Sequence, residues 1–394
     1  MIRFAVPPIG GKGWFGGWMY MVNLVRALAE HGEPDIETLL FLGPDRVDDP
    51  LVRDLVALPR TQIVIDSAFA EGRVRGGIGR TLAAGRNAPI LDAFARAGVQ
   101  VAFAPAIYLG WRSEVPAIAW FPDFQHRRMP HMFSRAAWWR RDLVFRAQVA
   151  SSAAIVLSSE DAERDCLHYY PAARGRTRVA RFAPPVESWP GADAAWARLR
   201  GEGVPEDFVF LPNQLWQHKN HGLAIEAAGL LARRGSTRTI LATGHGQDPR
   251  RPGYRAELEQ KIAEVGAGDR FRLLGSVDHV MVQAMMIGAN ALLNPSRFEG
   301  WSTTVEEAKA VGAPMLLSDL PVHREQAPDA RFFGLEDAAA LADAVEAAVP
   351  RALNAIRSAM ADARGPTLAR QRAYAAAISA VVREVAARSG QAAA

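Results

Sequence analysis

The 394-residue chain has one cysteine, Cys166, and only four lysines, Lys12, Lys219, Lys261 and Lys309. A lone cysteine excludes an intrachain disulfide and a thiolate-rich metal site, and it favours a reducing, cytoplasmic setting. The other 42 basic residues are arginine, and the net charge is only +4. A small charge spread over a large surface makes a weak global field, so the composition does not point to nucleic acid. No Asp-x-Asp sequence occurs, and no apolar run reaches the length of about 20 residues that a spanning helix needs. The uncharged stretch from His279 to Ser296 carries Gln, Asn and Pro. The start, Met-Ile-Arg-Phe-Ala-Val, reads as a first core strand and not as a signal peptide.

What is present is an apolar fraction of 49%, enough for more than one core at roughly 150 residues per domain. Short β-branched or apolar runs alternate with helical patterns. Ile2–Val6, Ile36–Leu42, Gln62–Ile65, Gln100–Ala104, Ala117–Trp120, Ala153–Leu157 and Thr177–Phe182 read as strands. This rhythm predicts a parallel sheet covered on both faces. It breaks at Ala183-Pro-Pro-Val-Glu-Ser-Trp-Pro-Gly191 and restarts with Phe208–Leu211, Thr239–Ala242, Phe271–Leu273, Ala291–Leu293 and Pro314–Leu317. The expected architecture is α/β, two Rossmann-like doubly wound domains facing a central cleft. The first covers residues 1–188, a linker 189–204, and the second 205–366. An alanine-rich terminal helix at about 367–394 caps one of the two, with the first domain as its expected seat.

Ligands of such sheets bind at the carboxyl ends of strands, so the loops there are the candidate site. Pro7 to Gly17 is glycine-rich and precedes a helix, which suits an anion, but it matches neither Gly-x-Gly-x-x-Gly nor a Walker A sequence. A nicotinamide-dependent dehydrogenase is disfavoured on that ground. Lys219, in Leu211-Pro-Asn-Gln-Leu-Trp-Gln-His-Lys-Asn-His221, places a point charge where a pyrophosphate would lie. The spacing of His218 and His221 suits a metal only if further ligands converge. In Asn294-Pro-Ser-Arg-Phe-Glu-Gly-Trp-Ser-Thr-Thr-Val-Glu-Glu, a strand ends, a loop carries Glu299, and a helix starts at Ser302, Thr303 and Thr304. Free amides and the helix dipole there can bind a diphosphate, Glu307 can accept hydrogen bonds from a ribose, and Glu299 faces what lies beyond the phosphates.

Phe298-Glu-Gly-Trp-Ser-Thr-Thr-Val-Glu-Glu-Ala308 resembles the Glu-x7-Glu motif of the retaining family 4 glycosyltransferases, which have the GT-B fold. Thr243-Gly-His-Gly246, Leu274-Gly275 and Ser318-Asp319 fall in family order. Phe15-Gly-Gly-Trp-Met-Tyr-Met-Val-Asn-Leu24 and Pro122-Asp-Phe-Gln-His126 are similar to bacterial lipopolysaccharide and O-antigen enzymes, including mannosyl- and rhamnosyltransferases. The resemblance implies transfer of a hexosyl group, from GDP-mannose or GDP-rhamnose by preference, to a glycan or polyprenyl-diphosphate-linked acceptor, with retention and without a metal or other cofactor. It implies donor binding by Gly16, Gly17, Asn213, Gln214, Lys219, Gly244, Gly246, Ser302, Thr303, Thr304 and Glu307. It implies a reaction centre of Asp123, His126, Glu299 and Lys219. The family arginine five or six residues before the lysine is Asn213 or Gln214 here, and His218, Arg297 or Lys12 are its possible substitutes. A sugar-nucleotide 2-epimerase and a non-catalytic sugar-nucleotide binder are the alternatives of the same fold.

Between Arg127 and Arg146 lie six arginines and adjacent tryptophans against one acid, Asp142. Arg127, Arg128, Arg135, Trp138, Trp139, Arg140 and Arg141 form an expected patch for an anionic membrane surface or a lipid-linked acceptor. The expected location is the cytoplasm, peripheral on the inner face of the membrane. A solvated helix with its tryptophans packed on the sheet is the alternative.

Overall fold

The computed structural model describes residues 1–9, 15–70, 78–105, 107–185, 189–246, 248 and 250–392. The chain divides into two compact units, Met1–Pro185 with Ala369–Ala394, and Val186–Leu368. Fully parallel strands need crossovers, and the helical segments between the apolar runs supply them.

In the first unit, β1 (Ile2–Val6), β2 (Ile36–Leu42), β3 (Thr61–Ile65), β4 (Val101–Pro105), β5 (Ala117–Phe121), β6 (Ala154–Leu157) and β7 (Thr177–Val179) form one sheet in the order 3-2-1-4-5-6-7. Strands β4, β5 and β6 are buried along their whole length, as strands covered on both faces must be. Edge strand β3 has no fully buried residue: Thr61, Ile63 and Val64 are half-buried and Gln62 and Ile65 exposed. Phe41, Phe69 and Phe94 pack on one another, with ring centroids 4.9–5.9 Å apart.

In the second unit, β8 (Phe208–Leu211), β9 (Thr239–Thr243), β10 (Phe271–Gly275), β11 (Ala291–Asn294), β12 (Met315–Ser318) and β13 (Arg331–Phe333) follow the order 10-9-8-11-12-13, again all parallel. β13 is three residues long and escaped the sequence reading because so short a run carries no periodicity. Thr177–Phe182 was expected as a strand, but pairing stops at Val179. Within the predicted linker, Ala192–Gly201 is a helix. It packs on the helix His279–Gly288 so closely that a Cβ on Gly288 would stand 2.3 Å from Leu199 Cδ1. Proline and glycine at its head ended the sheet pattern without ending the fold.

The chain closes with one 40-residue helix, Leu353–Ala392, which begins in the second unit and continues in the first. Pro366 removes one rung of its ladder. On the first unit, Tyr374 is buried beside Tyr20, Gln371 donates to the Pro184 carbonyl at 2.8 Å, and Glu384 pairs with Arg178 at 2.7 Å.

Candidate active site

In each sheet the strand order reverses once, between β1 and β4 and between β8 and β11. Such reversals open the crevice where ligands sit. In the second unit the residue ending β11, Asn294, is fully buried and acts as a hub. Its Oδ1 accepts from Asn213 Nδ2 at 3.3 Å, across the reversal, and from the Ser296 amide at 3.2 Å. Its Nδ2 donates to Ser302 Oγ at 3.0 Å and Glu299 Oε1 at 3.4 Å. Ser296 Oγ lies 2.7 Å from both Asn294 Oδ1 and Glu299 Oε1, so its single proton serves one of them at a time. Neither Asn294 nor Ser296 was singled out in the sequence. The available signal was a polar side chain closing an otherwise apolar buried strand.

Lys219 Nζ donates to Glu299 Oε1 at 2.7 Å. Both side chains are largely buried, 15% and 8% exposed. Burial raises the carboxyl pKa, but the Lys219 charge, aided by His323 and His218, overrides it and holds Glu299 down to about 2. The expected diphosphate cation and the expected sugar-facing carboxylate are thus one ion pair. An ammonium has three donors, so Lys219 can bind a phosphate oxygen without releasing Glu299.

Helix Thr303–Ala310 starts behind Ser302, whose hydroxyl caps it by accepting from the Val305 amide at 3.4 Å. The amides of residues 302–304 were expected to be free. Ser302 is an exception: its N–H donates to Gln326 Oε1 at 3.1 Å, while Gln326 Nε2 donates back to the Ser302 carbonyl at 2.7 Å and to Glu306 Oε1 at 3.1 Å. The amides of Thr303 and Thr304 keep no partner among the described residues, as first-turn amides do. Gln326 therefore holds the helix start and was missed because it lies 24 residues away in the chain. Replacing Gln326 by leucine leaves the Ser302 amide buried without its partner, while the Ser302 carbonyl keeps the Glu306 amide at 3.2 Å. A loss of about 1–3 kcal/mol in denaturant unfolding is the expected result, with weaker nucleotide binding.

The adjacent glutamates have opposite fates. Glu306 is buried and bonded to Lys309 Nζ at 2.8 Å. Glu307 is half-buried, has no side-chain partner among the described residues, and burial pushes its carboxyl up to about 8. An acid that costs folding energy and meets no cation is placed to receive a ligand.

Gly244, at φ 151°, lets the loop after β9 lie against the loop after β8: a Cβ there would stand 2.3 Å from the Asn213 carbonyl oxygen. A Cβ on Gly246 would stand 3.1 Å from Arg255 Cδ. Asn213 is buried and Gln214 half-buried at the end of β8. Of the substitutes for the missing arginine, Arg297 is engaged with Glu336 at 3.0 Å, His218 is buried beside Arg250 at 3.4 Å, and Lys12 lies outside the described residues. His221 is fully buried, and burial lowers its pKa to about 3. It is a neutral core side chain, and among the described residues no group of three or more His, Cys, Asp or Glu converges as a metal site.

In the first unit, Gly16 and Gly17 stand in the first turn of helix Phe15–His31, Gly16 exposed and Gly17 buried. Asp123 Oδ1 accepts from the Gln125 amide at 2.9 Å and from Arg141 Nη2 at 2.7 Å. His126, expected to line a reaction centre, is fully buried, and burial lowers its pKa to about 4. Tyr170 spends its hydroxyl proton on Asp142 Oδ1 at 2.6 Å, so His126, 3.0 Å from that hydroxyl, is the donor there through Nε2–H. The basic segment is also less basic than its sequence. Arg127 and Arg146 pair with Asp142, Arg128 with Asp161 and Asp165, and Arg141 with Asp123. Trp138 is half-buried, its indole N–H on the His126 carbonyl at 2.6 Å. Arg135, Trp139 and Arg140 remain exposed.

Residues 200–357 match the family described as glycosyl transferases group 1. A 2-deoxystreptamine glucosyltransferase of Streptomyces kanamyceticus is 32% identical over 100 residues, a match that spans 25% of this chain and 23% of that protein. Among solved structures, the HepE protein of Anabaena in complex with UDP and glucose superposes with a TM-score of 0.67 at 14% identity, covering 99% of this chain and 100% of that one. The sucrose-phosphate synthase of Thermosynechococcus elongatus superposes at 0.63 with 18% identity, covering 99% and 98%. Residues 200–357 are therefore similar to a group 1 glycosyl transferase domain, in a chain that has the two-unit, parallel-sheet GT-B fold.

Proposed function

We propose that the protein is a nucleotide-sugar glycosyltransferase that moves a hexosyl group from a nucleoside diphosphate sugar to an acceptor hydroxyl. The observation that carries this reading is the arrangement at the ends of β8 and β11: an ammonium at Lys219, open amides at Thr303 and Thr304, and an unpartnered carboxyl at Glu307. As the glycosidic bond breaks, negative charge grows on the departing diphosphate. Lys219 and the helix amides are fixed positive groups that meet it without reorganising. Glu307 receives the ribose hydroxyls, and Glu299, held ionised beside Lys219, faces the sugar. The resemblance of the Glu299 to Glu307 segment to retaining enzymes supports retention and a reaction carried by protein cations without a metal. Similarity of the first-half segments to lipopolysaccharide and O-antigen enzymes supports a glycan or lipid-linked acceptor in cell-surface polysaccharide synthesis.

Two observations bear on the base. The Anabaena structures hold UDP, and one holds UDP-glucose, which favours uridine, whereas the likeness to mannose- and rhamnose-handling enzymes favours guanosine. Thermal shift with UDP, GDP and ADP and their sugars discriminates them. One nucleotide is expected to raise Tm clearly above the others, and no response to any of them would overturn the donor-site assignment. A 2-epimerase would release free epimerised sugar without an acceptor, which product analysis separates from transfer.

A further inference from the structure

The helix Arg135–Ser151 has two faces with different tasks. Ser134 caps it by accepting from the Ala137 amide at 3.3 Å. Its inner face holds the loop that follows β5. Trp138 donates to the His126 carbonyl at 2.6 Å, Arg141 donates to Asp123 Oδ1 at 2.7 Å, and Asp142 accepts from Tyr170, which in turn meets His126. Phe145 packs against Phe121, Phe124 and His126, with ring centroids 4.3–5.7 Å away.

The outer face keeps what the inner face does not use. Trp139 is 62% exposed and Leu143, one turn on, is 47% exposed. Arg135 and Arg140 flank them and have no acidic partner among the described residues. The helix's one acid, Asp142, is buried and neutralised by Arg127 and Arg146, so this face presents cations without a competing carboxylate. An exposed indole beside a leucine, rimmed by arginine, matches the boundary between acyl chains and anionic headgroups. A helix of 17 residues with these charges lies along such a surface and does not cross it.

We propose that the outer face of this helix docks on an anionic lipid surface, and that docking stiffens the Asp123 loop through Trp138 and Arg141. The surface then orients the part of the first unit that would meet a lipid-linked acceptor. That acceptor role rests on the glycosyltransferase reading, whereas the docking does not.

The test is co-sedimentation of the full chain with phosphatidylcholine vesicles, with or without about one third phosphatidylglycerol, at low and high salt. Binding is expected only to the anionic vesicles and is expected to fall with salt. The double variant Arg135→Gln/Arg140→Gln should lose about tenfold or more in partitioning, and Trp139→Ala should lose severalfold at unchanged salt dependence. Hydrogen exchange across residues 122–129 should slow when vesicles are present. No binding to anionic vesicles, or variants that bind as the parent does, would overturn the docking, as would binding to soluble polyphosphate but to no vesicle. Binding with unchanged exchange at 122–129 would overturn the coupling. Because the sedimentation uses no nucleotide, a failed donor-site assignment appears separately, in the thermal-shift panel.

Discussion

Glu307→Gln is expected to make the protein more stable and far less active. In the folded chain burial holds the Glu307 carboxyl at about 8, against an ordinary value of 4.5. The folded state therefore binds more protons than the unfolded state between those values, and stability falls as pH rises through that window. Glutamine keeps the shape and removes the titration. At pH 8.5 its Tm should exceed the parent's by about 3–6 °C, and at pH 4 the two should coincide. Turnover should fall by roughly tenfold to a hundredfold in kcat/KM, the worth of a hydrogen bond to a charged acceptor. The ionised carboxylate is the form that accepts two ribose hydroxyls, so nucleotide affinity in the parent should climb between pH 6 and 8 by up to about tenfold per unit, with a proton released on binding at pH 7. Calorimetry in buffers of different ionisation enthalpy reads that proton. A flat pH profile with parental turnover in Glu307→Gln would remove Glu307 from the donor site.

The second large effect is expected at the Lys219 and Glu299 pair. Lys219→Met leaves Glu299 buried without its cation, and removing one partner of such a pair costs about 3–5 kcal/mol. The depressed pKa of Glu299 contributes stability above its ordinary range that is lost as pH falls toward about 2. The single variant should lose that acid-side dependence, because its carboxyl titrates upward. Lys219→Met/Glu299→Gln removes both charges and should recover most of the loss in denaturant unfolding. Turnover should not recover in the double variant. Both variants should fall about 100- to 1000-fold in kcat, since the charge that meets the leaving diphosphate is gone. A double variant that regained activity together with stability would reduce the pair to a structural role.

Much of the candidate site is legible in the sequence, for a local reason. Glu299, Ser302 and Glu307 lie within one strand, loop and helix, and their spacing along the chain sets their spacing in space. The choice of Glu307 over Glu306 as the ligand-facing acid follows from the resemblance, and the structure separates the neighbours by burial: Glu306 turns inward to Lys309 and Gln326. Lys219 drew attention because lysine is scarce, but its contact with Glu299 spans 80 residues and no local pattern encodes it. Separation along the chain also hides Gln326, 24 residues from Ser302, and the closure of Asn294 on Asn213, 81 residues apart. In the first unit the arginine-rich segment misled in magnitude. Asp123, Asp161 and Asp165, remote or on other elements, cancel charges that looked unopposed in sequence.

The sequence by itself determined the alternation of apolar strands and helices, hence the two parallel sheets, and it located the loops at their carboxyl ends. Periodicity is carried by adjacent residues, so it survives in one dimension. Only the tertiary structure decided which side chains meet: that His126 is buried under aromatic rings while Asp123 is held by Arg141, that Lys219 and Glu299 form one pair, and that Trp139, Arg135 and Arg140 are what the basic helix leaves outside. Burial and ion pairing depend on which strands become neighbours, and that is set by the sheet order and not by distance along the chain.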